Sequence, residues 1–211
     1  MEDRERAGEV FKILREEYPN AGVLLDYKNP FELLIATILA AQCTDERVNR
    51  VTPQLFKKYP DVYALAKAEG EELEEIIRST GFYKNKAKSL VNVSRTIVEK
   101  YGGSLPEEVD ELATLPGVGR KTASVVAGVC FNKPAIIVDT HVRRVATRLG
   151  FTSSDSPDKI ESDLRALVDR ENWTEFSYVL NFHGRYICKA RKPLCEKCSV
   201  ARFCKTVSSV G

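Results

Sequence analysis

Apolar residues recur along this chain at the three- and four-residue steps of an α-helix. Val10, Phe11 and Leu14 mark one such face, Leu73, Ile76 and Ile77 a second, and Ala87, Leu90, Val91, Ile97 and Val98 a third. The start and stop signals agree with that period. Asn29 precedes Pro30 and stands three places before Glu32, a capping box with proline at the first helical position, and Ser156 before Pro157 repeats the cap-then-proline order. Gly81, Gly102 and Gly150 stand where helices should end. Strand-like alternation is scarce, and only Ala135 to Val138 reads as an extended, buried connector. The pattern predicts an all-α protein of about ten helices. With no internal repeat and no Ser/Gly-rich linker, two domains would have to share an intimate interface.

Composition narrows the class. A chain of 211 residues, 43% hydrophobic and 29% charged, is an ordinary globular protein, and at this length it buries roughly 70% of its unfolded surface without disulfide staples. Collagenous, mucin-like and disordered readings are excluded. The charge-free stretch Leu33 to Thr44 falls short of the roughly 20 apolar residues that span a bilayer, so no membrane partner is expected. Glu2, Asp3, Arg4, Glu5 and Arg6 are the opposite of a secretory signal, which points to a cytoplasmic, reducing compartment. The formal net charge of +2 hides an asymmetry: residues 1–80 hold 11 basic and 16 acidic side chains, the rest 21 and 14. The later part can therefore offer a basic face to a polyanion, although charge is often only solvation.

Leu115-Pro116-Gly117-Val118-Gly119 interrupts two helical patterns. Two glycines two residues apart allow a turn that bulkier residues could not make, and they leave bare N–H groups at the start of the next helix. A phosphate docks on such amides without reading any base, and Arg120 and Lys121 add positive charge there. This is a helix-hairpin-helix pattern; the alternative is a tight turn between packed helices. Lys121 stands where the dipole of its own helix disfavours a positive charge, and a neutral amine is a nucleophile. Taken alone it reads better as a phosphate contact or solvated side chain. Asp139 ends the apolar run Ala135 to Val138 and precedes the helical stretch Thr140 to Leu149, so it is either a carboxylate delivered to an edge or an N-cap.

Cys188, Cys195, Cys198 and Cys204 follow the spacing C-x6-C-x2-C-x5-C. In a reducing compartment a tight cluster suggests metal before disulfide. Zinc usually takes two closely spaced pairs, whereas only the central pair is close here; the outer intervals suit a loop wound round a larger [4Fe-4S] cube, with zinc left open. Lys189, Arg191, Lys192, Lys197, Arg202 and Lys205 surround these thiols against only Glu196, either to face phosphates or to solvate the loop. Cys43 and Cys130 read as small buried residues, Trp173 and Phe176 as core, and His141 and His183 as outside any ligand set.

The segment from Leu115 to Ala123, followed by Val138-Asp139-Thr140-His141-Val142-Arg143-Arg144-Val145, resembles the signature of the endonuclease III family of DNA glycosylases with AP lyase activity. The likeness runs from about residue 5 to residue 205 and includes the cysteine spacing. It implies two helical lobes flanking a DNA-binding cleft: a six-helix barrel with the helix-hairpin-helix at 22–132, and a [4Fe-4S] cluster lobe from 1–21 and 133–211. It assigns Lys121 to attack the sugar C1′, Asp139 to assist, and Cys188, Cys195, Cys198 and Cys204 to the cluster. Sister enzymes that act by hydrolysis generally lack the lysine, so Lys121 favours the bifunctional branch. Gln42 matches a glutamine that enters the space left by an extruded nucleotide. Phe82 falls at the wedge position, commonly leucine in bacterial members, where a hydrophobic contact sealing a helix end is the plainer reading. Pro116, Gly117, Val118, Gly119, Arg120, Arg191 and Lys192 complete the expected DNA contacts. The implied function is removal of oxidised pyrimidines from double-stranded DNA, then a nick at the abasic site by β-elimination. The implied protein is a monomer, nucleoid-associated in a prokaryote, with no diffusible cofactor. A non-catalytic DNA-binding protein, an iron-sulfur redox protein and a mismatch-directed glycosylase are the competing readings.

Overall fold

A computed structural model of the chain describes residues 2–208; Met1 and residues 209–211, the outer ends of the expected cluster lobe, lie outside the described residues. Among the described residues there are twelve α-helices, four short 3-10 turns and no strand. The helices are α1 (Asp3–Glu17), α2 (Pro30–Leu39), α3 (Asp45–Lys58), α4 (Val62–Ala66), α5 (Gly70–Ile77), α6 (Tyr83–Tyr101), α7 (Val109–Leu112), α8 (Arg120–Cys130), α9 (Thr140–Leu149), α10 (Pro157–Arg165), α11 (Trp173–Tyr186) and α12 (Lys205–Ser208). Three of the twelve, α4, α7 and α12, are at four or five residues too short to show a periodic face. Two compact units result: Leu24–Lys133 forms one, and the chain before and after it forms the other.

In the Leu24–Lys133 unit, α2 is buried on nearly every side, with Leu33, Leu34, Ile35, Ala36 and Leu39 all at zero exposure. Helices α3, α6 and α8 pack on it, α4 and α5 lie along α6, and α7 lies against α8. A helix that is apolar all round belongs at the centre of its layer. Asn29 caps α2 as its sequence suggests, its side chain accepting the Glu32 N–H at 2.9 Å. The box closes differently from expectation: the Glu32 carboxylate reaches past Asn29 and accepts the Lys28 N–H at 2.8 Å. Cys43 is half-buried in the turn between α2 and α3 rather than inside a helix, and Cys130, also half-buried, ends α8.

In the terminal unit, α1 and α9 pack on α11 around Phe176, whose ring meets Phe11 edge-on at 5.5 Å and Phe151 at 6.3 Å. The connector Ala135–Ile137 is buried and belongs to no helix or strand. Its N–H groups still need acceptors in the interior. Ala135 finds Thr174 Oγ1 at 3.1 Å and Ile137 finds Ser177 Oγ at 2.9 Å, so hydroxyls on α11 replace a sheet ladder. Ser156 precedes Pro157 as the sequence suggests but makes no side-chain cap bond.

Arg6 fastens the first helix to this unit. Only 8% exposed, its guanidinium donates to the carbonyls of Leu149, Phe203 and Gly150 and to the Asp3 carboxylate, and it lies 4.7 Å from the Phe151 ring centroid. The same contact holds the Asp3 carboxyl below its ordinary pKa. Removing the donor leaves three main-chain acceptors without it. Arg6→Met is therefore expected to lower unfolding free energy by about 2–4 kcal/mol, read from urea denaturation.

Candidate active site

The hairpin between α7 and α8 is a type II turn. The Leu115 carbonyl accepts the Val118 N–H at 3.1 Å, with Pro116 and Gly117 as the central pair and Gly117 at φ +75°. Leu115 and Val118 are buried on either side and peg the turn to its unit. A Cβ on Gly117 would stand 3.0 Å from the Ser89 Cβ, so a larger residue there would push on Ser89 as well as strain the backbone at positive φ. Gly119 precedes α8 in extended backbone with no side-chain cap bond, which leaves the first-turn N–H groups to solvent or an anion. Arg120 pairs with Asp110 at 3.0 Å. Lys121, the second residue of α8, is exposed, and among the described residues no hydrogen bond or ion pair holds its ammonium.

Asp139 is the N-cap of α9, one of the two readings the sequence leaves open, and both of its oxygens are held. Its Oδ1 accepts the N–H groups of His141 at 2.9 Å and Val142 at 2.8 Å, capping α9. Its Oδ2 accepts Asn181 Nδ2 at 2.6 Å, and Asn181 Oδ1 in turn accepts Arg185 Nε at 3.0 Å. A guanidinium only donates, so the polarity of the chain Arg185, Asn181, Asp139 is fixed. Neither Asn181 nor Arg185 is anticipated from sequence; their one trace is a polar pair four residues apart in the second half of α11. Gly184 permits the approach of α9 to α11, since a Cβ there would meet the His141 Cβ at 2.9 Å. Burial lowers the His141 pKa against the pull of Asp139, and its Nδ1 lies 3.1 Å from Arg144 Nη2, the arrangement of a neutral ring accepting a hydrogen bond.

Helix α9 also grips the cysteine loop. Arg144 donates to the carbonyls of Gly184 at 2.7 Å and Cys188 at 2.9 Å; Arg148 donates to Cys188 Sγ at 3.3 Å and to the carbonyls of Lys189 and Ala190. Cys188, Cys195, Cys198 and Cys204 line one cavity of about 130 Å³. Yet among the described residues no three His, Cys, Asp or Glu side chains gather as a single metal ion would require. Thiols spread round a cavity suit a cluster better than zinc. Burial first, and the neighbouring thiols after it, push the Cys198 thiol up to about 11, while the Val200 N–H works the other way. Thiolates so crowded need a cationic centre among them. His183, buried, has its Nε2 3.5 Å from Cys198 Sγ and its Nδ1 3.4 Å from the Tyr18 hydroxyl, beside the ligand set rather than in it.

The remaining expected residues are accessible. Gln42 sits in the turn after α2 and Phe82 immediately before α6, the latter 64% exposed; Arg191 and Lys192 are exposed in the loop after Cys188.

Residues 35–170 match the family described as HhH-GPD superfamily base excision DNA repair protein, and residues 188–204 match the iron-sulfur binding domain of endonuclease III. An endonuclease III of Synechocystis is 50% identical over 207 residues, covering 98% of this chain and 94% of that protein. This chain belongs to the endonuclease III family. A Bacillus subtilis endonuclease III is 48% identical, covering 89% of this chain and 86% of its own. A solved structure of a trapped endonuclease III–DNA covalent intermediate, in an estranged-adenine complex, superposes with a TM-score of 0.94 at 42% identity, covering 100% of this chain and 99% of the other. As an endonuclease III family member the protein is a DNA glycosylase and AP lyase of base-excision repair, binds DNA, and has a [4Fe-4S] cluster as its cofactor.

Gly117 combines a positive φ with little room for a Cβ. Gly117→Ala is expected to cost about 1–3 kcal/mol in thermal unfolding and to weaken duplex binding in a salt titration.

Proposed function

We propose that this endonuclease III family member removes oxidised pyrimidines from duplex DNA by forming a Schiff base between Lys121 and the deoxyribose, then nicks the strand on the 3′ side. One observation carries the reading: an exposed amine without a partner among the described residues stands directly after a glycine hairpin, in the first turn of a helix that no side chain caps. The reading requires Lys121 and Asp139 to act on the same sugar. It has the protein work as a monomer in the cytoplasm, where its bacterial relatives' DNA lies.

The hairpin amides and Arg120 take up phosphates of the damaged strand, and Arg191 and Lys192 take up others. Gln42 and Phe82 fill the gap left by the extruded nucleotide. As the C1′–base bond breaks, positive charge develops on the sugar, and the Asp139 carboxylate, already held at both oxygens, stabilises it without reorganising. The Lys121 nitrogen bonds to C1′ as the C1′–base bond breaks, one of its protons leaves with the base, and the C1′–O4′ bond then opens to an iminium while O4′ takes up a proton from solvent. That cation acidifies the C2′ proton; its loss expels the 3′ phosphate by cleavage of C3′–O. An arginine stays protonated and a hydroxyl cannot form the imine, which is why the position takes lysine. Cys188, Cys195, Cys198 and Cys204 hold the cluster, whose task is to shape the loop that presents Arg191 and Lys192.

Borohydride added to the protein with duplex DNA bearing an oxidised thymine or an abasic site should give a covalent protein–DNA band. Lys121→Gln should lose the band and keep duplex binding; a variant that traps like the parent overturns the assignment. Asp139→Asn keeps a side chain able to cap α9 and removes the charge, so single-turnover base release is expected to slow about a hundredfold. Asn181→Leu keeps both the cap and the charge but frees Oδ2. We expect base release about tenfold slower, with the visible absorbance of the cluster unchanged.

A further inference from the structure

Lysine is almost never buried without a partner. Lys86, in the first turn of α6, is only 6% exposed. Its ammonium donates to the carbonyls of Leu39 and Thr80, each at 2.8 Å. Leu39 is the last residue of α2, and Thr80 is the last of the 3-10 turn Arg78–Thr80. Each acceptor thus lies at the end of a helical segment, where carbonyls lack main-chain donors and a cation is favoured.

Both segments lead directly into the residues expected to enter DNA. Gln42 follows Leu39 by three places, in a turn closed by the Cys43 N–H on the Ala40 carbonyl at 3.1 Å. Phe82 follows Thr80 by two, and its carbonyl accepts the N–H of Lys86 itself at 3.0 Å. Gln42 has φ +55° and Phe82 φ +50°. Non-glycine residues reach that left-handed region at a cost of about 1–2 kcal/mol and stay there only where their surroundings over-determine them.

We infer that Lys86 is a positioning residue that sets the spacing between the Gln42 and Phe82 turns, so that both enter the duplex together beside an extruded nucleotide. This rests on the function proposed above. Two carbonyls cannot bond to one another; a donor must stand between them, and the ammonium is that donor. Burial opposes its charge and lowers its pKa, with only the Cys43 thiol, when ionised, acting against this. An apolar side chain of similar length would fill the volume without that cost but would leave the two stems unlinked. Occupying a vacated stack from two separate turns demands a fixed distance between them, which neither turn alone supplies.

The test uses the full-length, cluster-containing protein and compares borohydride trapping rates on an abasic site in a duplex and on the same strand alone. A single strand has no stack to fill and no opposing base. Lys86→Met is expected to lower the duplex-to-single-strand ratio of trapping rates by about tenfold or more, the loss of a buried charge-assisted hydrogen bond expressed as rate. A 2-aminopurine placed opposite the site should lose the fluorescence rise that the parent produces on binding. Lys86→Gln, which keeps N–H donors without the charge, should fall between the two proteins, and it serves where Lys86→Met does not fold. A ratio that stays at the parental value, or equal losses on both substrates, would overturn the positioning role. A parent that traps on neither substrate would instead sink the Lys121 chemistry beneath it.

Discussion

A helix leaves its first N–H groups and its last C=O groups without main-chain partners, and in a chain built almost wholly of short helices those ends are numerous. How each end is satisfied decides what this protein can do. The start of α8 carries no side-chain cap, which keeps its amides for an anion. The start of α9 is capped by Asp139, so satisfying backbone groups also fixes a carboxylate. The end of α2 receives the Lys86 ammonium, and the end of α9 receives the Arg6 guanidinium. The groups given chemical or positioning roles are thus concentrated at helix ends, where side chains can satisfy the main-chain groups that a helix leaves open.

Helix α9 shows the economy of this arrangement. Its N-cap is Asp139, while Arg144 and Arg148, one turn apart further along, bind the carbonyls of the loop that begins at Cys188. Collapse of the cysteine loop would therefore release two arginines from the helix that Asp139 caps. Gly184 lets α11 press close to α9, and the same helix α11 brings Asn181 to the second oxygen of Asp139. A carboxylate with one oxygen tied to its own helix and the other to a neighbour cannot turn away from developing charge, which is the condition under which electrostatic stabilisation needs no reorganisation.

What the sequence reveals and what it conceals divide along sequence separation. The helical class, the Asn29 cap, the hairpin and the thiol loop are legible because each is specified by residues a few positions apart: proline and glycine fix a turn, an amide caps the residue three ahead, and cysteines wind one loop. The same local logic misfires where a competitor is equally local. Glu32 reaches Lys28 instead of Asn29, and Ser156 caps nothing. Asn181 is invisible because its partner Asp139 lies 42 positions away, and Lys86 because Leu39 lies 47 away. Within its own helix, Lys86 reads only as one more lysine in a run of charges.

Backbone strain adds a last step. Phe82 and Gln42 both hold left-handed dihedrals that glycine would adopt without penalty, and Phe82 has a glycine directly before it. Glycine at either place would relax the turn but remove the side chain that the proposed function sends into the stack. Side chains are kept there, so the energy of the strained dihedral must be offset by contacts at the stems rather than in the exposed tips, where Phe82 meets mostly solvent. Beside the main-chain bonds that close each turn, Lys86 binds both stems, through its ammonium to Leu39 and Thr80 and through its N–H to Phe82. A buried cation that is costly in isolation is in this way the condition for two strained turns to persist without DNA.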